Sequence, residues 1–149
     1  MRLMAVVLLC VGLLGSSSVL AAETPAAAFA PLQGAWIVRA AEQNGKPFDA
    51  IKGGRITITG ESFDLATAAG SHFAGKLKLD TAATPHLIDF ELSNGARWLG
   101  IYTVNASTFR LNYVEDDGNT KRPAVFATTA DTPGTVIVMR KDQSGDSEK

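Results

Sequence analysis

The chain has 149 residues, with 14 Lys and Arg against 15 Asp and Glu, a formal net charge of -1 and a single cysteine. At roughly 100–200 residues per domain this is one domain, and with no basic excess to neutralise a run of phosphates, nucleic acid is not an expected partner. Hydrophobic residues at 46% and charged residues at 19% argue against global disorder, and one cysteine cannot form an internal disulfide.

The chain opens with an address. Met1-Arg2-Leu3-Met4 carries one positive charge, Ala5 to Leu14 carries none, and small residues follow at Gly15-Ser16-Ser17-Ser18. That is the n-region and h-region of an export signal, with Val19-Leu20-Ala21 fitting the peptidase site. A signal peptide over 1–21 is expected, and with it an exported, periplasmic or extracellular protein that keeps no transmembrane anchor after cleavage. Cys10 lies inside the h-region behind Leu8-Leu9, not behind a small residue as in a lipoprotein, so it should leave with the leader. The mature chain would then have no thiol chemistry.

Residues 22–31, mostly Ala, Thr and Pro, read as a flexible tether, and 141–149, with no apolar residue, as a disordered tail. Between them, 32–140 reads as strands. Arg55 to Thr59 and Ser62 to Leu65 alternate about a Gly60-Glu61 turn. In His72 to Leu79, Phe73, Leu77 and Leu79 share one face and the two lysines the other. Leu87 to Leu92 turns Ile88, Phe90 and Leu92 inward and Asp89 and Glu91 outward. Asn94-Gly95 is the pair that a type I′ hairpin demands, and Ala96 to Val104 returns. Phe109, Leu111 and Tyr113 alternate again, Glu115 to Asn119 is a polar turn, and Pro123 to Thr128 and Thr135 to Arg140 complete the sheet. Helical periodicity is confined to a single turn at Phe48 to Lys52.

Short strands joined by Gly, Asn and Asp turns, without a crossover helix, define an all-β antiparallel sandwich or barrel. About eight to nine strands in consecutive hairpins can close and leave no unpaired edge, so a small antiparallel β-barrel is the expected fold. Trp98 to Val104 and Val136 to Arg140 are apolar on both faces, which calls for a cover outside the barrel.

Leu32-Gln33-Gly34-Ala35-Trp36-Ile37-Val38 and Gln43-Asn44-Gly45-Lys46-Pro47 resemble the opening of a family of short secreted bacterial lipocalin-like proteins of uncharacterised function. Pro85 to Phe90, Gly100-Ile101-Tyr102 and Thr108 to Leu111 resemble that family's later motifs, in the same order. The resemblance covers nearly all of Leu32 to Arg140 and implies a lipocalin-like barrel and an export signal, but no reaction, cofactor or catalytic residue. Gly34-Ala35-Trp36 also matches the lipocalin G-x-W, whose tryptophan packs across the closed end under a basic residue from the last strand; Arg140 is the candidate.

No constellation of catalytic residues stands out. Asp89 and Glu91 share a face, but their neighbours claim the interior, leaving both carboxylates in solvent, where burial cannot separate their pKa values. His72 and His86 lack a third ligand at metal-site spacing, and no nucleophile elbow is present. Glu115, Asp116 and Asp117 could hold a hard cation through oxygen, although Asp-Gly is chiefly a turn signal. Asn105-Ala106-Ser107 matches a glycosylation acceptor and is equally a turn. What remains is the barrel interior, where Trp98, Tyr102 and Tyr113 offer apolar bodies with polar edges, the mix that lines small-molecule pockets. Because an eight-stranded barrel is only just wide enough for its own side chains, a filled core is favoured over an open one. The expected function is non-enzymatic: a cofactor-free protein binding a small apolar or amphipathic molecule, or, alternatively, an envelope protein-interaction module or hydrolase inhibitor whose protein partner is unknown.

Overall fold

The computed structural model describes residues 25–144. The proposed export signal, Cys10, the start of the tether and residues 145–149 lie outside them. The strands follow the alternation in the sequence: β1 (Gly34–Gln43), β2 (Lys46–Pro47), β3 (Arg55–Thr59), β4 (Ser62–Ala66), β5 (His72–Asp80), β6 (His86–Leu92), β7 (Arg97–Val104), β8 (Thr108–Glu115) and β9 (Thr135–Lys141). Each pairs antiparallel with the next from β3 to β9, and β1 pairs with both β3 and β9, so eight strands close on themselves with the short β2 appended to β1. Closure removes the row of unpaired N–H and C=O groups that an open sheet would present. The molecule is an all-β antiparallel barrel, as its alternation and turns predict, and its shape is consistent with the lipocalin-like barrel that the resemblance implies.

β1 closes the barrel by changing parity. It meets β9 from Trp36 opposite Lys141 to Gln43 opposite Thr135, with a bulge between Val38 and Ala40. The extra residue, Arg39, switches the inward positions from Trp36 and Val38 to Ala41 and Gln43, because side chains alternate strictly along a strand. The β6–β7 hairpin also departs from expectation. Glu91 pairs with Arg97, and the Gly95 amide donates to Leu92 O at 3.0 Å. Gly95 has φ of 92° while Asn94 does not enter positive φ. This is the three-residue loop built on a type I turn and a glycine bulge, not a two-residue I′ turn, which needs both central residues at positive φ.

The core runs down the barrel axis. Phe63 and Phe90 meet edge to face at 5.1 Å between centroids, and Trp36 and Phe109 at 5.5 Å. One end is plugged. The segment expected to be a tether is folded from Pro25 onward, as a helix, α1 (Pro25–Phe29), and a 3-10 turn, Ala30–Leu32. Phe29 and Leu32 are buried there, Leu32 fully, so the short apolar run is drawn onto the barrel end by burial and not by helix propensity. The Trp36 indole N–H donates to Leu32 O at 2.9 Å. Gln33 latches the plug to the β3–β4 turn, its amide donating to Gly60 O at 3.0 Å and accepting from Gly60 N at 2.7 Å.

The cation over Trp36 is Lys141, not Arg140. Its Nζ lies 4.6 Å from the ring centroid and donates to Gln33 O, while Arg140 is exposed. Met139 and Lys141 share the inward face of β9 with Ile137, so parity decides. The expected tail therefore starts too early: Lys141 closes the last strand, and the Asp142 amide donates to Ala35 O at 2.9 Å while its carboxylate pairs with Arg55.

The cover for the doubly apolar strands is the 116–134 connection. Ile101, Val114 and Val136 face outward yet are buried, because this strap lies across β6 to β9. Pro123 to Thr128, read as a strand, pairs with none. Its carbonyls are instead taken by side chains: Asn112 Nδ2 donates to Val125 O at 2.7 Å and Arg110 to Phe126 O at 3.1 Å. Arg122 pins the strap down, donating to Gly100 O at 2.8 Å and Ile88 O at 3.3 Å, with its other nitrogen 2.6 Å from Asp89 Oδ1.

Candidate functional site

Opposite the plug the barrel is open. Its mouth is built by the strand ends that parity turns inward: Gln43 on β1, Thr135 on β9, Tyr113 and Glu115 on β8, and Trp98 on β7. Below them lies a cavity of about 310 Å³ walled by Val38, Leu65, Phe73, Trp98, Tyr113 and Ile137, with Phe48, Ala50 and Ile51 leaning over it from the β2–β3 connection. The single helical turn expected near Phe48 is a 3-10 turn, Asp49–Ile51, and acts as this partial lid. A second, more polar space of about 370 Å³ continues outward past Asn44, Glu115, Thr120 and Pro133, sharing Gln43, Trp98 and Tyr113 with the inner one. The barrel is thus filled from its plug to its waist and open above, where a wholly filled core was favoured from sequence.

The aromatic side chains sort by depth. Trp98 and Tyr113 stack at 4.9 Å with 28° between planes, and Phe73 meets Trp98 edge-on at 5.3 Å. Phe90 forms the floor, 5.7 Å from Trp98 and 6.3 Å from Tyr113. The structure therefore brings two of the three residues singled out from sequence, Trp98 and Tyr113, together on the cavity wall. Tyr102 is elsewhere: it is 2% exposed and packs against Phe109 and His86 towards the plugged end. It shares a face with Trp98, but four residues along a strand is about 13 Å, enough to cross from mouth to core.

No Asp, Glu, Lys, Arg or His lines the inner cavity. Its polar atoms come from Gln43, Thr67, Ser71 and Tyr113. The Gln43 amide is held by Thr135 Oγ1 at 3.2 Å. Burial pushes the Tyr113 phenol up from its ordinary pKa, Thr135 pulls it partly back, and the charge of Glu115 raises it further. Tyr113 is therefore a neutral phenol at physiological pH, able to donate or accept one hydrogen bond.

The other candidate groups are accounted for by local structure. Asp89 and Glu91 point out of the barrel, but only Glu91 reaches solvent as expected; Asp89 is covered by the strap, its side chain 19% exposed. Asp89 is held by Arg122 and lies 3.7 Å from Arg97. Glu91 pairs with Lys78 at 2.8 Å, and this hydrogen bond, above all, lowers its pKa. His72 lies 2.8 Å from Asp64 on the surface, and His86 Nδ1 is 3.1 Å from Ala83 O. Asn105 Oδ1 accepts from Ser107 and Thr108 amides, closing the β7–β8 turn. Asp117 accepts from the Asn119 and Thr120 amides and the Thr120 hydroxyl. Asp116 accepts from Gly118 N and lies 3.6 Å from Arg97. Among the described residues no group of three or more His, Cys, Asp or Glu side chains is placed to hold a metal ion, and no helix is long and apolar enough to cross a membrane.

Sequence reasoning missed the lid and Gln43. It also placed Glu115 in a turn, whereas Glu115 ends β8 in the inward row of Phe109, Leu111 and Tyr113; counting in twos from Tyr113 would have found it. The chain matches no protein-family model, no curated protein and no solved structure.

Proposed function

We propose that the protein is a non-catalytic carrier or sensor that takes a small apolar or amphipathic molecule into the open end of its barrel. The observation supporting this is the inner cavity: about 310 Å³, walled by aliphatic and aromatic side chains and free of ionisable carboxylates and amines. That is the lower end of the size range of ligand sites, and the combination of apolar walls with a few fixed polar groups is their usual chemistry. An export signal and kinship with secreted lipocalin-like proteins belong to the same reading. The alternative, a protein-interaction module, would draw on a continuous exposed apolar patch; among the described residues Val125 is the large hydrophobic side chain left exposed.

Titration with phenylnaphthylamine, a neutral dye that brightens in apolar surroundings, tests the proposal. Saturable binding of one dye per protein is expected, and Ala50→Trp, which fills the space under the lid, should abolish it while the thermal transition persists. A signal that does not saturate, or that Ala50→Trp leaves untouched, would remove the cavity from consideration.

A further inference from the structure

The two compartments differ in one respect that selects among ligands. Of the residues lining either of them, Glu115 is the only one with a charged side chain. It stands directly opposite Trp98 in the β7–β8 register, and cross-strand partners on one face lie about 5 Å apart at Cβ. Its inward parity aims the carboxylate at the same side as the Trp98–Tyr113 stack. Its two acidic neighbours are engaged, Asp116 with Gly118 and Arg97 and Asp117 within its own turn, whereas Glu115 has no hydrogen-bond or ion-pair partner among the described residues. The Glu115 charge adds to the rise that burial causes in the Tyr113 pKa, in keeping with its place beside the junction of the two compartments.

An ammonium placed there would meet a carboxylate on one side and the aromatic stack of Trp98 and Tyr113 on the other, both of which attract cations. A carboxylate or phosphate head would meet like charge and no compensating cation. We infer that the site selects amphiphiles with an apolar, preferably aromatic, body and a cationic amine head, over those with an anionic head. This rests on the binding function proposed above and adds the charge of the ligand to it.

The test compares three probes with one body and different heads: phenylbutylamine, phenylbutanol and phenylbutanoate, each titrated by calorimetry into the intact protein. The amine should bind about tenfold more tightly than the carboxylate, with the alcohol between, an effect on the scale of one partly exposed charge interaction. In Glu115→Gln the affinities of the amine and carboxylate should converge, and raising salt should narrow the gap in the wild type. Equal binding of all three, or preference for the carboxylate, overturns the charge assignment and leaves the cavity a binding site. Convergence that fails in Glu115→Gln overturns the role of that residue. Failure of all three probes and of phenylnaphthylamine removes the binding function itself.

Discussion

Replacing Arg122 with Met should cost about 2–3 kcal/mol of folding stability, because the guanidinium is what fastens the strap to the barrel. Met keeps most of the aliphatic stem, so the loss is confined to the charged end. That end donates to Gly100 O at 2.8 Å, and more weakly to Ile88 O at 3.3 Å, and lies 2.6 Å from Asp89 Oδ1. A hydrogen bond from a charged donor contributes about 1.5–3 kcal/mol. The Asp89 side chain is largely covered, 19% exposed, so losing its partner adds to the cost, but Arg97 remains 3.7 Å from Asp89 to share its charge and limits that addition. For a domain of this size about 2–3 kcal/mol corresponds to a fall in Tm of roughly 8–12 °C. Urea denaturation gives the free energy, and a double-mutant cycle with Asp89→Asn isolates the ion pair, expected to couple by about 1 kcal/mol. A loss below about 0.5 kcal/mol, the range of ordinary surface substitutions, would show that the strap stays in place without Arg122, held by Asn112 and Arg110 through the Val125 and Phe126 carbonyls.

Lys141→Met should lose about 1–2 kcal/mol, through the hydrogen bond to Gln33 O and the contact with Trp36, while Arg140→Met changes stability by less than about 0.5 kcal/mol. Urea curves showing the reverse order would return the ring-stacking role to Arg140. Gly75→Ala should destabilise by about 4 kcal/mol or more, because a Cβ there runs into the Glu91 backbone and cannot be relieved by a side-chain rotation; a soluble Ala variant with an unchanged Tm would contradict the close approach of β5 and β6. Glu91, Asp117 and Asp142 have lowered pKa values, through Lys78, Thr120 and Ser144 first of all. Their stabilisation is present above the unfolded carboxylate pKa of about 4 and is lost as pH falls through the lower folded values. Tm should therefore be level near neutrality and drop below about pH 4, and a Tm that holds unchanged down to about pH 2 would show these bonds to be idle.

Strand positions were legible because one face of each hairpin is apolar and the other polar, as in Ile88, Phe90 and Leu92 against Asp89 and Glu91. Where both faces are apolar, alternation carries no parity. Val136 to Met139 offers four consecutive apolar residues, and so the choice between Arg140 and Lys141 at its end could not be made from sequence. Pro123 to Thr128 has the composition of a strand, and only the side chains of Asn112 and Arg110, reaching from β8, show that its carbonyls are satisfied without one. Phe29 lies in a run too short to announce a helix; its place depends on Trp36 and Leu32 leaving an apolar end to cover. At the mouth, Trp98 and Tyr113 were chosen for their chemistry, and the same criterion drew in Tyr102, since residue type does not report depth along a strand. Gln43 faces inward only because Arg39 bulges, a two-against-one mismatch with β9 that no local pattern in β1 reveals.

The plug has a geometric corollary. β1 begins and β9 ends beside it, Trp36 facing Lys141, so the described chain enters and leaves the barrel at the sealed pole, with the aperture at the other. A fusion partner, affinity handle or surface linkage joined at either end of the described residues would sit behind the vessel, leaving its entrance unobstructed.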